Sequence, residues 1–186
     1  SARTAVDDPL YGAARDVAKG LAGRGWMVVT GGGPGIMQAG MEGAGRERSI
    51  GVSIRLPFEQ SANPVIAGDE KYVSMKYFFT RKLMLVKESR GFICLPGGFG
   101  TLDELFESLT LIQTGKIEHF PIVLVGTGYW GGLLDWMRTT LLPAAAIAEA
   151  DLGLVRLTDD PAEAARVVAS AYSRQLEMAR RRAERA

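Results

Sequence analysis

GFICLPGGFGTLDE, residues 91–104, joins three kinds of local structure in one short segment. Residues 91–95 form an apolar run with the length of a buried strand. Pro96 to Gly100 form a glycine-rich turn. From Thr101 onward, leucine, phenylalanine and isoleucine recur every three to four residues, which is the spacing of a helix. The segment predicts a strand that leads through a glycine loop into the N-terminus of a helix.

A loop of this kind is suited to bind a phosphate group. The first backbone N–H groups of a helix have no partner within the helix, and the helix dipole favours an anion there. Thr101 and Glu104 have the spacing of a capping box, with Thr101 as N-cap, and a cap alone would explain them. A plain cap does not need Gly97, Gly98 and Gly100 together, whereas close approach of a phosphate to the backbone does.

Strands and helices alternate along the whole chain, and the strands are apolar throughout. This pattern predicts an α/β fold, a Rossmann-like parallel sheet with helices on both faces, in a single nucleotide-binding domain over residues 1–186. Ligands of such sheets bind beyond the carboxyl ends of the strands. The predicted strands are 26–30, 49–56, 71–73, 91–95, 121–125 and 154–157, and the predicted helices are 10–22, 36–46, 75–89, 131–142, 143–150, one that follows the 96–100 turn and one that begins at 160–161.

The chain opens directly into a loop, whereas a sheet of this type usually opens with a strand. Ser1-Ala2-Arg3 has the character of a segment that follows such a strand. We therefore expect the native N-terminal strand to be missing from this chain.

Composition excludes several classes of function. The net charge of +1 gives no basic excess for nucleic acid, and the apolar runs are too short to span a membrane. Cys94 is the single cysteine and His119 the single histidine, so neither an internal disulfide nor a cysteine-rich or histidine-rich metal site is expected. The cytoplasm is the expected compartment.

A second glycine loop, GGGPGIM at residues 31–37, follows the first predicted strand. It lacks the last glycine of the dinucleotide fingerprint, and no acidic residue closes the strand that comes next. Neither glycine loop continues into the Gly-Lys-Ser/Thr of a Walker A loop. With dinucleotide and Walker A loops excluded, the two glycine loops predict a compact site for a monophosphate.

The helix predicted over residues 75–89 is apolar on most sides, which is typical of a core or of a subunit interface. We therefore expect a homodimer or a higher homo-oligomer. Arg81 lies among apolar neighbours in this helix and needs an anionic partner, for which Glu104 or a ligand phosphate would serve. Lys82 is interpreted as a surface or phosphate-facing residue.

These motifs together resemble the Lonely Guy family of cytokinin riboside 5′-monophosphate phosphoribohydrolases, many of them once labelled lysine decarboxylases. PGGFGTLDE at 96–104 matches the family motif P-G-G-x-G-T-x-x-E, and Arg81-Lys82 matches its second signature. Residues 31–37 resemble its first glycine loop, and Ser1-Ala2-Arg3 the end of its opening segment. The similarity runs from residue 1 to about residue 157, and the loop LPFEQSANP at 56–64 resembles the bacterial type II branch.

The resemblance implies hydrolysis of the N-glycosidic bond of an N6-modified adenosine 5′-monophosphate to the free base and ribose 5-phosphate, with no metal and no cofactor. It implies that Glu104 stabilises the positive charge that develops on the ribose, while Arg81 orients Glu104 or binds phosphate. Glu59 and Asn63 are alternative candidates for a substrate contact. The substrate-binding residues that it implies are Ser1, Arg3, Gly32, Gly33, Lys82, Gly97, Gly98, Gly100, Thr101 and Thr110.

Two other functions fit the same motifs. A general nucleoside 5′-monophosphate nucleosidase would act on AMP with the same residues. A non-catalytic carrier of a nucleotide or of the molybdenum cofactor would share the glycine loop, although the pair Arg81 and Glu104 argues for an enzyme. Lysine decarboxylation is disfavoured, because pyridoxal phosphate needs a Schiff-base lysine and no lysine of the chain is distinguished for that role.

Overall fold

The computed structural model of the chain describes residues 1–55, 62–117 and 120–183. Helices and strands alternate along it as predicted. Its strands are β1 (Val28–Thr30), β2 (Ser49–Ile54), β3 (Tyr72–Met75), β4 (Phe92–Cys94), β5 (Ile122–Val125) and β6 (Val155–Thr158). Its α-helices are α1 (Pro9–Ala22), α2 (Ile36–Ala44), α3 (Phe78–Glu88), α4 (Phe99–Gln113), α5 (Thr127–Trp136) and α6 (Pro161–Ala183).

All strand pairing in the described residues is parallel, which confirms the predicted α/β class. The strands form two three-stranded sheets, in the orders β1-β2-β3 and β4-β5-β6. The chain divides into two compact units, Ser1–Ser89 and Arg90–Ala186, and each unit holds one of the sheets. The predicted single sheet is thus found as two pairing groups, while the assignment of residues 1–186 to one domain stays a prediction.

The first unit is built around the contact between α1 and α2. Asp8 caps α1 by accepting a hydrogen bond from the Leu10 N–H at 2.8 Å, and Pro9 occupies the first helical position. The buried face of α1 packs on α2, where Gly43 lies directly against the backbone of Arg15. The buried residues of the two helices are Tyr11, Ala14, Val17, Ala18, Ala39, Gly40 and Met41.

The second unit has one apolar core between its sheet and the flanking helices. β5 is buried along its whole length, as expected for the central strand of a covered parallel sheet. The buried residues of this apolar core are Cys94, Leu105, Leu109, Phe120, Ile122, Leu124 and Trp130.

Some element boundaries differ from the prediction. The helix predicted over 75–89 begins at Phe78, because β3 extends through Met75. The helix predicted over 143–150 is wrong. The chain beyond α5 widens into a π-turn at Met137–Leu141, and Ala145 has φ of 55°, a left-handed conformation that interrupts a helix. A 3₁₀ helix at Glu149–Leu154 follows, so an alanine-rich composition alone did not decide this segment.

Candidate active site

The glycine loop of the second unit joins the end of β4 to the start of α4, as the sequence predicts. The helix begins at Phe99, with Gly98 as its N-cap, so the prediction of Thr101 as N-cap is wrong. The Thr101 N–H donates to the Gly98 carbonyl at 3.0 Å, and the Leu102 N–H donates to the same carbonyl at 3.1 Å. The cap position moves because the first helical turn closes on a glycine and needs no side chain.

Three consecutive N–H groups lie at the start of α4, that of the N-cap Gly98 and those of Phe99 and Gly100 in the first turn. Within the described parts of the chain, no hydrogen bond engages any of them. They are the groups that helix geometry leaves unpaired, and the helix dipole adds positive potential at the same place. The loop therefore has the donors that an anion requires.

The three glycines of this loop serve different purposes. A β-carbon on Gly97 would lie 2.9 Å from the Thr101 β-carbon and closer still to its hydroxyl oxygen, so Gly97 allows Thr101 to pack on the loop. At Gly98 and Gly100, a β-carbon would meet no atom of the described residues within 4 Å. The open side of the loop is therefore at Gly98 and Gly100, where a ligand can reach the backbone.

Glu104 lies one helical turn beyond the loop and is half-buried. Its charge acts on Cys94, at the end of β4: burial first, and then the Glu104 carboxylate, raise the pKa of the Cys94 thiol to about 12. Glu104 is therefore near the strand end below the phosphate loop. Cys94 stays a neutral thiol at physiological pH and is no nucleophile there.

Thr110 is exposed on α4, and its hydroxyl donates to the Phe106 carbonyl at 2.8 Å. Nine residues separate it from Thr101, which is about 14 Å along a helix axis. Within its own unit, Thr110 is not brought to the loop, and a substrate contact by this residue stays a prediction.

The first glycine loop, in the other unit, has a tightly determined backbone. Gly32 has φ of 72°, and its N–H donates to the Thr30 hydroxyl at 3.1 Å. The Tyr72 ring lies so close that a β-carbon on Gly32 or on Gly51 would overlap it. Glycine is therefore required at Gly32 both by its conformation and by space.

Asn63 holds this loop through hydrogen bonds to its backbone. It is buried, with 3% of its surface exposed. Its side-chain amide donates to the carbonyls of Gly32 and Gly33, each at 3.0 Å, and its backbone N–H donates to Gly32 at 2.8 Å. Its side-chain Oδ1 accepts from the Val65 N–H at 3.1 Å. Asn63 therefore supports the loop. A substrate contact by Asn63 or by Glu59 stays a prediction, and Glu59 lies outside the described residues.

The N-terminal segment meets the start of α2 beside the same loop. The Ser1 carbonyl accepts from the Ile36 N–H at 3.1 Å, and Gly35, with φ of 65°, lets the segment pass close by. The Ser1 hydroxyl accepts from the Arg3 N–H at 3.2 Å, while Arg3 itself is exposed. The predicted site residues Ser1, Gly32 and Gly33 thus lie in one part of this unit.

Arg81 reaches the same region from α3. Its Nε donates to the Val52 carbonyl at 2.9 Å, near the carboxyl end of β2. Its NH2 nitrogen approaches Gly31, 3.2 Å from where a β-carbon on that glycine would be. Part of the guanidinium is therefore satisfied by a backbone carbonyl, which the sequence analysis did not anticipate. Lys82 is half-buried on the same helix.

Tyr129 is a residue that the sequence analysis missed. Its hydroxyl donates to the Gly97 carbonyl at 2.6 Å across 32 positions of sequence. The separation leaves no local pattern, and Tyr129 precedes the helix predicted over residues 131–142, whereas α5 begins at Thr127. Only tertiary structure reveals the contact.

Neither a metal-binding cluster nor a membrane-spanning helix is found in the described residues. They contain no group of three or more histidine, cysteine, aspartate or glutamate residues arranged to hold a metal ion. Across the same residues, no helix combines the length and hydropathy that a membrane span requires.

Comparison with known proteins supports the family to which the sequence motifs point. The family model described as "Possible lysine decarboxylase" matches residues 34–168. A cytokinin riboside 5′-monophosphate phosphoribohydrolase of Mycobacterium tuberculosis is 35% identical over 133 residues, which are 69% of each chain. A rice protein (Oryza sativa subsp. japonica) named a probable enzyme of the same activity is 36% identical over 130 residues; the alignment covers 67% of this chain and 60% of the rice protein.

A solved structure shares the fold. The molybdenum cofactor carrier protein of Chlamydomonas reinhardtii superimposes with a TM-score of 0.61 at 22% identity, covering 89% of this chain and 90% of the carrier. At that identity the likeness establishes the fold alone. The match over residues 34–168, together with the mycobacterial relative, shows that this chain belongs to the family described as possible lysine decarboxylases, the Lonely Guy family to which its sequence motifs point.

Proposed function

We propose that this protein hydrolyses the N-glycosidic bond of N6-modified adenosine 5′-monophosphates, releasing the free base and ribose 5-phosphate. The observation that carries the proposal is the second-unit loop, where the unpaired N–H groups of Gly98, Phe99 and Gly100 are followed one turn later by Glu104. The names of the mycobacterial and rice relatives support the same reaction.

In this proposal the loop holds the 5′-phosphate. Its N–H groups and the Thr101 hydroxyl bind the phosphate oxygens, and the open side at Gly98 and Gly100 gives the phosphate room. Binding the phosphate places the ribose over the first turn of α4. The energy of phosphate binding then orients the bond that breaks.

Glu104 supplies the negative charge that the reaction needs. The C1′–N bond breaks with its electron pair moving to the base, so positive charge builds on the ribose. A carboxylate beside it stabilises that charge, and it also accepts a proton from the water whose oxygen bonds to C1′. The leaving base takes up one proton from solvent and departs neutral, and Glu104 returns to solvent the proton that it accepted, so that the net reaction consumes one water. The orienting role predicted for Arg81 stays a prediction.

The test is a pair of carboxylate variants on one helical turn. Glu104→Gln should lower kcat by about 10²–10³-fold, the usual loss for one electrostatic catalytic group, while the Kd for AMP stays within about threefold. Asp103→Asn is the matched control, because it removes the neighbouring, exposed carboxylate and should leave kcat unchanged. Full activity of Glu104→Gln would contradict the mechanism.

The substrates are isopentenyl-AMP, AMP and L-lysine, each incubated separately with the wild-type protein. Free base, ribose 5-phosphate and cadaverine are measured. Faster release of isopentenyladenine than of adenine supports the proposed specificity, and equal release favours a general nucleosidase. Nucleotide binding without any cleavage would point to a carrier, and cadaverine would point to a decarboxylase.

We further propose that the protein forms a homodimer through α3. Phe78, Phe79 and Leu83 have 57%, 68% and 60% of their surfaces exposed, an unusual concentration of apolar surface on one helix. A Leu83→Glu variant should sediment as a monomer at concentrations where the wild type sediments as a dimer. A wild-type monomer at tens of micromolar would refute the interface. A single nucleotide-binding domain and a cytoplasmic location complete the proposal.

A further inference from the structure

The Gly97 carbonyl, inside the phosphate loop, is the acceptor of a short hydrogen bond from the Tyr129 hydroxyl, at 2.6 Å. Gly97 is buried, whereas Tyr129 has 51% of its surface exposed. An exposed tyrosine can leave its hydroxyl to water. This one is directed at a loop carbonyl instead.

That carbonyl shares a peptide plane with the Gly98 N–H. In a planar trans peptide, the C=O and the following N–H point in opposite directions. A donor that holds the Gly97 carbonyl on one side therefore aims the Gly98 N–H to the other side. The Gly98 N–H is the first of the three unpaired donors of the loop.

We propose that Tyr129 is a positioning residue for phosphate binding, which holds the peptide between Gly97 and Gly98 so that the Gly98 N–H points at a phosphate oxygen. The proposal rests on the proposed function only in assigning the phosphate to a nucleotide. The hydrogen bond restrains a glycine peptide, which is the least restricted kind of backbone.

Tyr129 can serve as such a support because it is itself held firmly. Its ring packs edge-on against Trp130, with 4.9 Å between centroids, and Trp130 is buried with its Nε1 donating to the Val125 carbonyl at 3.1 Å. Gly126, at the start of the same helix, lies against Pro96 of the loop. The helix and the loop are thus joined at two points, of which the Tyr129 hydroxyl is the one that acts on the peptide plane.

The test is Tyr129→Phe, which removes only the hydroxyl. Ribose 5-phosphate and inorganic phosphate serve as probes in calorimetric titrations, because their binding needs no catalysis. The Kd of both should rise about tenfold, while the Kd of adenosine, which has no phosphate, stays within twofold. KM for the nucleotide should rise by the same factor, and kcat should change by less than threefold. Tyr172→Phe, in α6 of the same unit, is the control for loss of a tyrosine hydroxyl and should change none of these values.

The outcomes separate this inference from the proposed function. If the wild type binds ribose 5-phosphate but cleaves no nucleotide, the proposed function fails and the titrations still decide the role of Tyr129. If Tyr129→Phe lowers the melting temperature but binds both phosphate probes as the wild type does, the hydroxyl is only structural and the inference is overturned. An equal loss of affinity for adenosine and for phosphate would overturn it too, as would a wild type that binds neither phosphate probe.

Discussion

The closest backbone contact at a glycine of the first unit is the one between α1 and α2 at Gly43. A β-carbon there would lie 2.8 Å from the Arg15 carbonyl carbon and 3.0 Å from its Cα, and closer still to the carbonyl oxygen. Favourable carbon–carbon contacts lie at about 3.5–4.0 Å. Gly43→Ala therefore forces the two helix backbones apart by roughly 1 Å, into a region packed with buried side chains.

The size of the effect follows from two opposing terms. Overpacking of this kind costs about 1–3 kcal/mol. Replacing glycine by alanine within a helix returns up to about 1 kcal/mol. Gly12→Ala, in α1, gains the same helical preference without the clash, because a β-carbon at Gly12 would meet no described atom within 4 Å. The difference between the two variants isolates the clash, and we expect Gly43→Ala to be less stable than Gly12→Ala by about 1–3 kcal/mol.

The assay is equilibrium unfolding in urea followed by far-UV circular dichroism, with the two variants compared at equal slope. For a chain of this size, each kcal/mol also corresponds to about 2–4 °C in melting temperature. Equal urea midpoints for the two variants would refute the close approach of the helices. A large change for Gly43→Ala in the slope of unfolding free energy against urea concentration would mean that the compactness of the unfolded or native state had changed. The two variants would then be compared by their melting temperatures alone.

Two further predictions concern titratable groups of the second unit. Hydrogen bonds from the Thr127 hydroxyl, and then from the Thr127 N–H, lower the pKa of Asp159 below its usual value of 3.8. The ionised carboxylate therefore stabilises the fold above pH 3.8. This contribution is lost as the pH falls through the lowered pKa. The urea midpoint of Asp159→Asn should therefore lie below that of the wild type at pH 7 and approach it toward pH 3, and a constant difference would contradict the assignment. The thiol of Cys94, with its pKa raised to about 12 and 6% of its surface exposed, should not react with Ellman's reagent at pH 8 until urea unfolds the protein. Complete reaction within minutes in native buffer would show that the thiol is accessible.

The strand, glycine loop and helix that carry the candidate site were predictable because their signals are local. The glycine loop and the helix after it are neighbours in sequence, and their patterns require only a strand, a turn and a helix in succession. The prediction was wrong where a second local preference of the backbone overrode the pattern on which the prediction rested. Thr101 has the spacing of a cap, but Gly98 begins the helix, and residues 143–150 have helical composition but contain Ala145 at positive φ.

The roles of Asn63 and Tyr129 were beyond sequence reasoning. Asn63 contacts glycines about 30 residues away, and Tyr129 contacts Gly97 across 32 residues. Hydrogen bonds between such distant positions leave no period in the chain. Each of these hydrogen bonds depends on a polar group being placed at the right distance and angle by the fold. Many other polar side chains of the chain could make the same bond if the fold placed them there, so residue type alone does not identify the partner.

By itself, the sequence determined the α/β class, the place of both glycine loops after strands, and the family, because hydrophobic period and glycine placement act within a few residues. Only the tertiary structure decided which N–H groups of the loop at Gly97 to Thr101 are left for a ligand and which side chains hold the loop carbonyls. The physical reason is that an N–H is available only when no acceptor elsewhere in the fold has taken it, and acceptors are brought near by packing.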